Sequence, residues 1–548
     1  MNKKKILYKL GLIVALILII NIIGNLYTYR LDITHDKRYT LSNQTKKIIS
    51  NIDNPILVEI YLKGNFPSEF KRLQLETTQI LEELQAINNN IVILFVDPLP
   101  IAEELINSGL TPSRLTSQEN GSVSETIIFP WAVIHYKNNF ELVSLLKNNF
   151  SGNSDEQLQQ SIQNLEFAFA EGFQKLTSKK SKKIAVLRGN GQLEDIYVAD
   201  FLKTLGKQYH LAPFTLDSVS KNPIKTLQQL NNFDLAIIAK PTIKFTEEEK
   251  YTLDQFMMKG GKTLWMIDQV HAELDSLMNT DETPILPRDL NLTDLFFAYG
   301  TRINYNVVQD LYSSKITLAT GNIGNKPQYS QFLWNYYPLI MAKNNHVINK
   351  NMEPIQLKFP SNIDTLSNQI KKTVLLESSP LTNRVGVPTL VSLKSLLEKP
   401  NHEQFKGNQQ IFGVLLEGNF ESAYKNRVQP YQTIDFKTES AVTKMILISD
   451  GDIIANQIHN GEPLTLGQDK WTQSLYGNKA FLLNAVNYLL DDDGLISIRN
   501  KTINLKLLDK EKAYKERTFW KVFNIAIPLI LLLIISITVH LYRKKNFK

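Results

Sequence analysis

The sequence predicts a membrane-anchored α/β protein in which a small α/β module precedes a larger, doubly wound α/β domain. Three observations in the 548-residue chain support this prediction. Each end carries an uncharged apolar segment of membrane-spanning length with basic residues on its outer side. Strand-type and helix-type patterns alternate along much of the intervening chain. Hydrophobic residues make up 43% and charged residues 21%, a composition typical of folded chains.

Residues 1–30 form the first predicted anchor. Four lysines precede an uncharged run at residues 10–26. As a helix, these 17 positions span about 26 Å, close to the thickness of the hydrocarbon core of a bilayer. A cleaved signal peptide is the alternative, but its apolar core is usually shorter and ends in a small-x-small cleavage site, whereas NLYTYR follows here. We therefore predict an uncleaved membrane helix.

Residues 520–548 form the second predicted anchor, a transmembrane helix with a basic tail. The 20 residues 522–541 contain no Lys, Arg, Asp or Glu, and the tail YRKKNFK follows directly. Trp520 lies at the entrance, where aromatic residues meet a membrane surface. A buried core helix without a polar face is the alternative. The positive-inside rule places both basic termini in the cytoplasm, and the residues between the anchors on the far side of the membrane.

The net positive charge of the chain comes from its two ends. The formal net charge is +7, but the two termini hold eight of the 61 basic residues and no acidic residue. The rest of the chain carries 53 basic and 54 acidic residues, so it offers no excess of positive charge to nucleic acid. The basic termini match anionic lipid headgroups instead. The sequence contains no cysteine, which excludes disulfides, thiolate metal sites and a cysteine nucleophile.

Residues 31–150 are predicted to form the small α/β module. Ser42 can cap a first helix, and the alternating run at residues 56–61 is typical of a strand. A second helix follows, because apolar residues recur every three or four positions over residues 66–87. The runs IVILFVDP, TIIFPWAVIHY and FELVSLL indicate further strands. This order suggests a thioredoxin-like arrangement without a redox role, since no Cys-x-x-Cys motif occurs.

Residues 151–181 are predicted to form an amphipathic linking helix. Its apolar stripe comprises Leu158, Ile162, Leu165, Phe169, Phe173 and Leu176. Such a stripe packs against a protein core or binds a partner helix, and we favour core packing. The polar stretch TSKKSKK then separates this helix from the next domain.

Residues 182–490 are predicted to form the larger domain around a doubly wound, mostly parallel sheet. IAVLRG, FDLAIIAKP, GKTLWMID and MILISDG indicate strands, while IYVADFLKTLGKQY and GNKAFLLNAVNYLL indicate helices. Thr246 and Glu249 form a capping box at the start of another helix, whose acidic first turn faces the positive end of the helix dipole. An insertion of mixed or β character is expected at about 275–440, and residues 491–519 are predicted to be a linker.

Glycines after the first strand of this domain raise the question of a nucleotide site. A dinucleotide fingerprint requires Gly-x-Gly-x-x-Gly, but Gly189 and Gly191 are followed by Glu194 at the third position. Glu194 and Asp195 would repel a pyrophosphate at the start of the helix. We therefore predict that this turn shapes the sheet and binds no nucleotide.

A second glycine segment resembles the end of a phosphate loop. Gly261, Lys262 and Thr263 have the required order, but Phe256 stands where the first glycine should be. The local pattern is also helix, glycines, strand, whereas a phosphate loop runs from strand to helix. Gly260 and Gly261 are predicted to end a helix instead.

Three aspartates follow predicted strands of the larger domain. Asp268 ends GKTLWMID, and Asp450 and Asp452 follow MILIS. Ligand sites in open α/β sheets lie at this edge, so the carboxylates suggest a cation or sugar site, but they also suit helix caps and turns. We favour the structural role. The eight histidines form no His-Glu-x-x-His motif, and no Gly-x-Ser-x-Gly motif occurs, so no catalytic, cofactor-binding or metal-ligating residue is assigned.

Five segments of the chain resemble those of one known protein family: RLDITHDKRYTLSNQTKKIISNIDNPILVEIYLKG, LLESSPLTNR, LEGNFESAYKNR, LISDGDIIANQ and GNKAFLLNAVNYLL. The family that they resemble is GldG, the gliding-motility-associated auxiliary proteins of ATP-binding-cassette (ABC) transporters. The resemblance implies an inner-membrane protein of Bacteroidetes-type bacteria with a periplasmic bulk. It also implies a separate ATPase, a separate multi-span permease, and an association with gliding and linked secretion. The central sheet resembles a glutamine-amidotransferase-like fold, but without cysteine no catalytic residue is transferred.

The sequence therefore predicts a non-enzymatic auxiliary, substrate-binding-like subunit whose outer domain binds a periplasmic ligand or protein. ATP would act on the partner ATPase, and no cofactor is expected. The alternative is a stand-alone membrane-anchored protein that binds glycan or cell wall through Asp268, Asp450 and Asp452. A degenerate hydrolase is a third hypothesis, for which the sequence offers no nucleophile.

Overall fold

The structure is a computed structural model with two compact units, Met1–Thr502 and Ile503–Lys548. It describes residues 11–19, 37–64, 68–119, 122–147, 154–177, 180–280, 282–324, 326–341, 346–350, 352–396, 400–433, 435–491, 498–499 and 510–546, together with residues 21, 32, 34, 66 and 494. The predicted N-terminal anchor at residues 1–30 lies outside the described residues, except for helical positions at 11–19 and 21. Most of the predicted linker at 491–519 also lies outside them.

The first part of the chain alternates between helices and strands. Its elements are α1 (Asn43–Ser50), β1 (Ile56–Ile60), α2 (Ser68–Ile87), β2 (Ile91–Phe95), α3 (Ala102–Asn107), β3 (Ser113–Glu119), β4 (Ser122–Ile128), β5 (Trp131–Tyr136), β6 (Asn139–Ser144) and α4 (Ser154–Thr177). They agree with the predicted strand–helix–strand unit and hairpin. The thioredoxin-like assignment stays a prediction.

The next part contains the regular alternation that the sequence predicts. Its elements are β7 (Lys183–Arg188), α5 (Asp195–Leu205), β8 (His210–Thr215), α6 (Pro223–Leu230), β9 (Leu235–Ala239), α7 (Glu247–Met258) and β10 (Lys262–Met266). Sequence reasoning did not name β8 or α6. The edge strand β8 carries a proline and lacks the continuous apolar run of its neighbours, which explains why its pattern is weak.

The following part is rich in short strands. Its elements are β11 (Val270–His271), α8 (Leu274–Thr280), β12 (Glu282–Pro287), α9 (Thr293–Ala298), β13 (Thr301–Ile303), β14 (Asn306–Asp310), β15 (Ser313–Ile323), β16 (Lys326–Ile340), β17 (Ile355–Gln356), β18 (Ile363–Thr365), β19 (Lys371–Glu377), β20 (Thr382–Gly386), β21 (Thr389–Ser392) and β22 (Ile411–Gly418). Residues 275–440, for which mixed or β character is expected, thus contain many short strands and two short α-helices among the described residues.

The chain then completes the large domain and continues into the C-terminal unit. The remaining elements are β23 (Thr443–Ile448), β24 (Ile458–His459), β25 (Glu462–Pro463), α10 (Asn478–Leu490), α11 (Lys510–Lys515) and α12 (Arg517–Asn546).

A four-stranded sheet organises the N-terminal part, with the strand order β2-β1-β5-β6. Strands β1 and β2 are parallel, as their connection through α2 requires, and β5 and β6 form an antiparallel hairpin. The linking helix α4 contacts β5, β6 and α2, and the predicted stripe of α4 is buried from Leu158 to Phe173. Its last member, Leu176, is half-buried. The preference for core packing over partner binding is thus consistent with the buried stripe.

A seven-stranded sheet organises the larger domain, with the order β19-β22-β23-β10-β9-β7-β8. The five strands from β23 to β8 are parallel. Strand β22 is antiparallel to β23, and β19 is in turn antiparallel to β22. The runs KKTVLLES and IFGVLLEG thus join the central sheet from within the region expected to be an insertion. Their partners in the sheet are far away in sequence, so local patterns could not reveal this pairing.

Both faces of the central sheet are covered, which explains why its strands are continuously apolar. All five residues of β9 are buried. Ile237 and Met266 pack on one face with α5 and α10, whereas Ile238 and Trp265 pack on the other face with α6, α7 and α9. The observed fold is therefore a mixed α/β architecture with two hydrophobic layers on a largely parallel sheet.

Local capping signals agree with the prediction at three helix ends. The side chain of Ser42 accepts a hydrogen bond from the Thr45 N–H at the start of α1. Both hydrogen bonds of the capping box between Thr246 and Glu249 are present at α7. Gly260 ends α7 with a φ of 94°, and its N–H donates to the Met257 carbonyl at 2.9 Å. This left-handed cap confirms that the glycines before Lys262 stop a helix.

The C-terminal unit contains one long apolar helix. Residues Arg517–Lys545 have a mean hydropathy of 2.7 in their most apolar window, and none of that window is buried. By length and composition this helix can cross a membrane. It includes the segment 522–541 that the sequence predicts to span the bilayer.

Candidate functional site

The predicted aspartates meet at one edge of the central sheet. Strands β9, β10 and β23 are parallel neighbours, so the residues after their carboxyl ends come together. Asp268 follows β10, and Asp450 and Asp452 follow β23. One carboxylate oxygen from each aspartate lies within 4.8 Å of the others. The structure thus assembles all three residues that the sequence singled out.

Lys240 neutralises much of this cluster. It follows β9 with a φ of 50°, and its side chain is only 6% exposed. Its Nζ atom lies 2.8 Å from Asp452 Oδ1, 3.0 Å from Glu273 Oε1 and 3.6 Å from Asp268 Oδ2. A buried ammonium group with three carboxylates around it supplies the positive charge that a metal ion would otherwise supply.

Asp450 ties the cluster to the surrounding backbone. Its two carboxyl oxygens accept hydrogen bonds from the N–H groups of Lys358 and Asp452, both at 2.7 Å. Asp268 accepts a bond from the Gly451 N–H at 2.5 Å. A side chain at position 451 would collide with Lys240, because its Cβ would lie 2.6 Å from Lys240 Cγ. The glycine between the two aspartates therefore lets the lysine pack closely.

A second cation borders the cluster. Arg288 follows β12, and its Nη1 lies 3.8 Å from Asp268 Oδ2. Its Nη2 lies 2.9 Å from His271 Nδ1. This arginine comes from a different layer of the fold from Lys240. The cluster therefore joins the parallel sheet to the β-rich segment that follows it.

The carboxyl groups titrate differently because their surroundings differ. Burial raises the pKa of Asp268 to about 6, against the opposing effect of Lys240. Burial, together with Asp452 and Asp268, raises the pKa of Asp450 well above its ordinary value. Burial also opposes ionisation of Asp452, but Lys240 prevails and lowers its pKa. Burial and repulsion between close carboxylates thus favour the protonated form of Asp450, whereas Lys240 favours the charged form of Asp452.

The geometry favours the structural role that we predict for these aspartates. The two cations face two carboxylates that ionise readily at neutral pH, and Asp450 satisfies two backbone donors. Such a network fixes the loops after three strands without a bound ion. Sequence reasoning missed Lys240 and Arg288. Lys240 could have been found, because it directly follows the apolar run LAIIA, whereas Arg288 carries no local signal.

The pH dependence of stability tests this electrostatic arrangement. The pKa of Asp268 is raised in the folded protein, so its stabilising contribution is present below the ordinary pKa of 3.8 and is lost as pH rises towards about 6. Relative to the variant Asp268→Asn, the wild-type protein should therefore lose free energy of unfolding between pH 4 and about 6. Denaturant titrations of both full-length proteins in detergent measure this difference.

An exposed aspartate provides the control for that experiment. Asp195 is 86% exposed and forms an ion pair with Arg188, so Asp195→Asn shows what the loss of a carboxylate outside the interior does under the same conditions. If the difference between wild type and Asp268→Asn is constant across the interval, folding does not raise the pKa of Asp268 and the proposed charge arrangement is wrong.

The glycine turn after β7 is filled by the protein itself. Gly189 and Gly191 have φ values of 109° and 67°, which few residues other than glycine adopt. Thr242 donates its N–H to the Asn190 carbonyl at 3.0 Å and its hydroxyl to the Gly191 carbonyl at 2.9 Å. The Glu249 carboxylate accepts a hydrogen bond from Asn190 at 3.0 Å. Hydrogen bonds within the protein thus hold this turn in place, and the absence of a nucleotide site there stays a prediction.

The sequence of this domain matches a family model described as "ABC-type uncharacterized transport system", over residues 181–485. The matched segment exceeds half of the 548-residue chain and contains the whole seven-stranded sheet. The chain belongs to this ABC-type transport system auxiliary family. It therefore carries an auxiliary domain of an ABC-type transport system, and such systems work with ATPase and permease subunits. A second family model, described as "Domain of unknown function (DUF7088)", matches residues 35–135.

One relative has nearly the same extent as this chain. An uncharacterized protein of Borreliella burgdorferi is 22% identical over 525 residues, which cover 92% of this chain and 91% of that protein. Among solved structures, the mmIFT52 N-terminal domain matches at 12% identity over 56% of this chain and 97% of its own. Its TM-score is 0.29, so this likeness carries no argument about the fold.

Proposed function

We propose that this chain is a non-enzymatic, membrane-anchored auxiliary subunit of an ABC transporter. The match to the ABC-type transport system family across the entire central sheet carries this proposal. The chain would work with a separate ATPase and a separate multi-span permease, because its own glycine turn is filled and its sequence contains no phosphate loop. A self-neutralised aspartate cluster supports a binding or scaffolding role rather than catalysis.

The proposed topology places both termini in the cytoplasm and the larger α/β part in the periplasm. The apolar helix α12, followed by Arg543, Lys544 and Lys545, supports one end of this arrangement. We further propose that the chain is the GldG-type component associated with gliding motility and linked protein secretion. This finer assignment rests on the five sequence segments that resemble that family.

A pull-down from the native membrane tests the proposal. The tagged full-length chain is extracted in a mild detergent, and the proteins recovered with it are identified by mass spectrometry. We expect an ABC-type ATPase and a multi-span permease. Recovery of neither, from a preparation in which the tagged chain is intact, would overturn the auxiliary role and favour the stand-alone glycan-binding alternative.

ATP hydrolysis by the recovered complex provides a second readout. Lys262→Ala should leave the hydrolysis rate unchanged, because Lys262 starts β10 after a helix cap and the nucleotide site belongs to the partner. The purified chain alone should show no hydrolysis. Hydrolysis by the chain alone, abolished by Lys262→Ala, would contradict the non-enzymatic assignment.

A further inference from the structure

A polar cavity lies where the small sheet meets the larger domain. Its volume is about 300 Å³, at the lower end of the range for small-molecule sites. Strand β6, helix α4, the segment before β17 and the first turn of α10 line it. The charged side chains around it are Glu141, Lys147, Glu171, Lys175, Glu353 and Arg499. None of these residues belongs to the aspartate cluster.

Small residues on α4 shape one wall of the cavity. Ala168 and Gly172 lie one helical turn apart and both face it. A Cβ at Gly172 would lie only 2.8 Å from Ile134 Cδ1 and 3.0 Å from Val143 Cγ2, so glycine lets the helix approach the sheet closely. The neighbouring positions Glu171 and Lys175, also one turn apart, bring charge to the same wall.

One half of the cavity is neutralised by its own ion pairs. Lys175 Nζ lies 3.1 Å from Glu141 Oε1 and 3.4 Å from Glu171 Oε1. Burial opposes the charge on Lys175, but the two carboxylates prevail and raise its pKa. Burial likewise opposes ionisation of Glu171, but Lys175 lowers its pKa. These three groups need no ligand.

The other half holds two cations that lack such partners. Among the residues that the structure describes, no carboxylate oxygen lies within 4.0 Å of Lys147 Nζ or of the Arg499 guanidinium, and Arg499 Nε is buried without a hydrogen-bond partner. Burial and the nearby Arg499 lower the pKa of Lys147, although Glu353 and Glu171 oppose this change. Burial also lowers the pKa of Arg499, against the opposing effect of the same two carboxylates. The two carboxylates at the cavity therefore do not fully compensate the burial of either cation.

Phe167 fixes the position of the guanidinium. The ring centroid of Phe167 lies 4.0 Å from Arg499 Cζ, within the range of a cation–π interaction. An aromatic face against one side of the guanidinium leaves its edge for acceptors, and this edge suits the two oxygens of a carboxylate or phosphate. The third described acid at the cavity, Glu353, reduces the local positive charge without forming an ion pair with either cation.

We propose that this cavity binds the oxyanion group of a small molecule, a carboxylate or a phosphate, between Lys147 and Arg499. This inference rests on the proposed auxiliary function. It adds the chemical class of the ligand that the outer domain would bind. A bound oxyanion gives Lys147 a counter-ion and gives the donors of Arg499 an acceptor. The paired half of the cavity, around Lys175, stays unchanged.

Anion binding by the purified full-length chain in detergent tests this site. Thermal unfolding and titration calorimetry are measured with inorganic phosphate and with acetate in a constant chloride background. We expect at least one of these anions to raise the melting temperature of the wild-type protein. Lys147→Met should weaken that binding at least tenfold. Arg499→Lys should weaken it severalfold, because lysine keeps the positive charge but cannot donate the two parallel hydrogen bonds of a guanidinium. Lys203→Met, on an exposed face of α5, is the matched control and should bind like wild type.

The outcomes distinguish a phosphate ligand from a carboxylate ligand and decide whether the proposed site is correct. Binding of phosphate alone identifies a phosphate group, and binding of acetate alone identifies a carboxylate. If neither anion raises the melting temperature at concentrations up to about 50 mM, the site is wrong. Lys147→Met without added anion should melt no lower than wild type, since it removes an uncompensated cation. A markedly lower melting temperature would show that Lys147 has a structural partner and would overturn the proposed anion site. The auxiliary function is tested separately, by the pull-down.

Discussion

Replacing Lys240 with methionine is expected to lower the free energy of unfolding by about 3–5 kcal/mol. The substitution keeps most of the apolar stem but removes the ammonium group from Asp268, Asp452 and Glu273. Two of these carboxylates then remain buried without their main counter-ion, which is much more costly than the loss of a surface ion pair. Chemical denaturation of the full-length protein in detergent measures the loss.

Lys244 offers a matched control four residues later. It also forms a short ion pair, with 2.6 Å between its Nζ and Asp289 Oδ2, but its side chain is 58% exposed. Lys244→Met should be far less destabilising than Lys240→Met, because solvent screens such exposed pairs. Equal effects of the two substitutions would show that burial does not control the charge network at the edge of the sheet.

Removing the buried carboxylate of Asp254 is expected to have a similarly large effect. Asp254, on α7, accepts hydrogen bonds from the Tyr299 hydroxyl at 2.9 Å, the Ser422 hydroxyl at 2.7 Å, the Ala423 N–H at 2.9 Å and the Gln255 amide at 3.0 Å. Asp254→Ala leaves these donors unsatisfied in the interior, at about 1–3 kcal/mol for each that stays buried. We expect a loss of about 4 kcal/mol in the free energy of unfolding.

Two further variants define how this loss arises. Asp254→Asn keeps one acceptor oxygen and should fall between wild type and Asp254→Ala. Glu248→Ala, on the first turn of the same helix, removes only a favourable interaction with the helix dipole and should cost at most about 1 kcal/mol. If Asp254→Ala is no more destabilising than Glu248→Ala, water replaces the carboxylate and the hydrogen-bond network is not a structural requirement.

Local sequence signals proved sufficient wherever the physical cause is local. The side chains of Ser42 and Thr246 cap helices because each can reach an N–H group three residues later. Gly260 ends α7 because it adopts a positive φ without a steric penalty. The parallel core of the larger domain could also be anticipated, since strands that are covered on both faces need apolar residues at every position.

The pairing of strands that are separated in sequence could not be predicted from local patterns. Strands β19 and β22 were recognisable as apolar runs, but their places in the central sheet depend on hydrogen bonds to strands distant in sequence. Edge strand β8 was missed because its apolar run is short and Pro213 interrupts it. The domain bounds suggested by composition remain predictions, as does the anchor at residues 1–30.

The sequence by itself determined the α/β class, the membrane-type C-terminal helix, the absence of cysteine chemistry and the meeting of Asp268 with Asp450 and Asp452. These features follow from composition, from hydrophobic periodicity and from the rule that parallel strands end at one edge. Only the tertiary structure decided that Lys240 and Arg288 neutralise those aspartates. It also decided that Lys147 and Arg499 line one cavity in which neither forms an ion pair with a described carboxylate. Charge compensation depends on distances between side chains that lie far apart in the chain, and no local pattern encodes those distances.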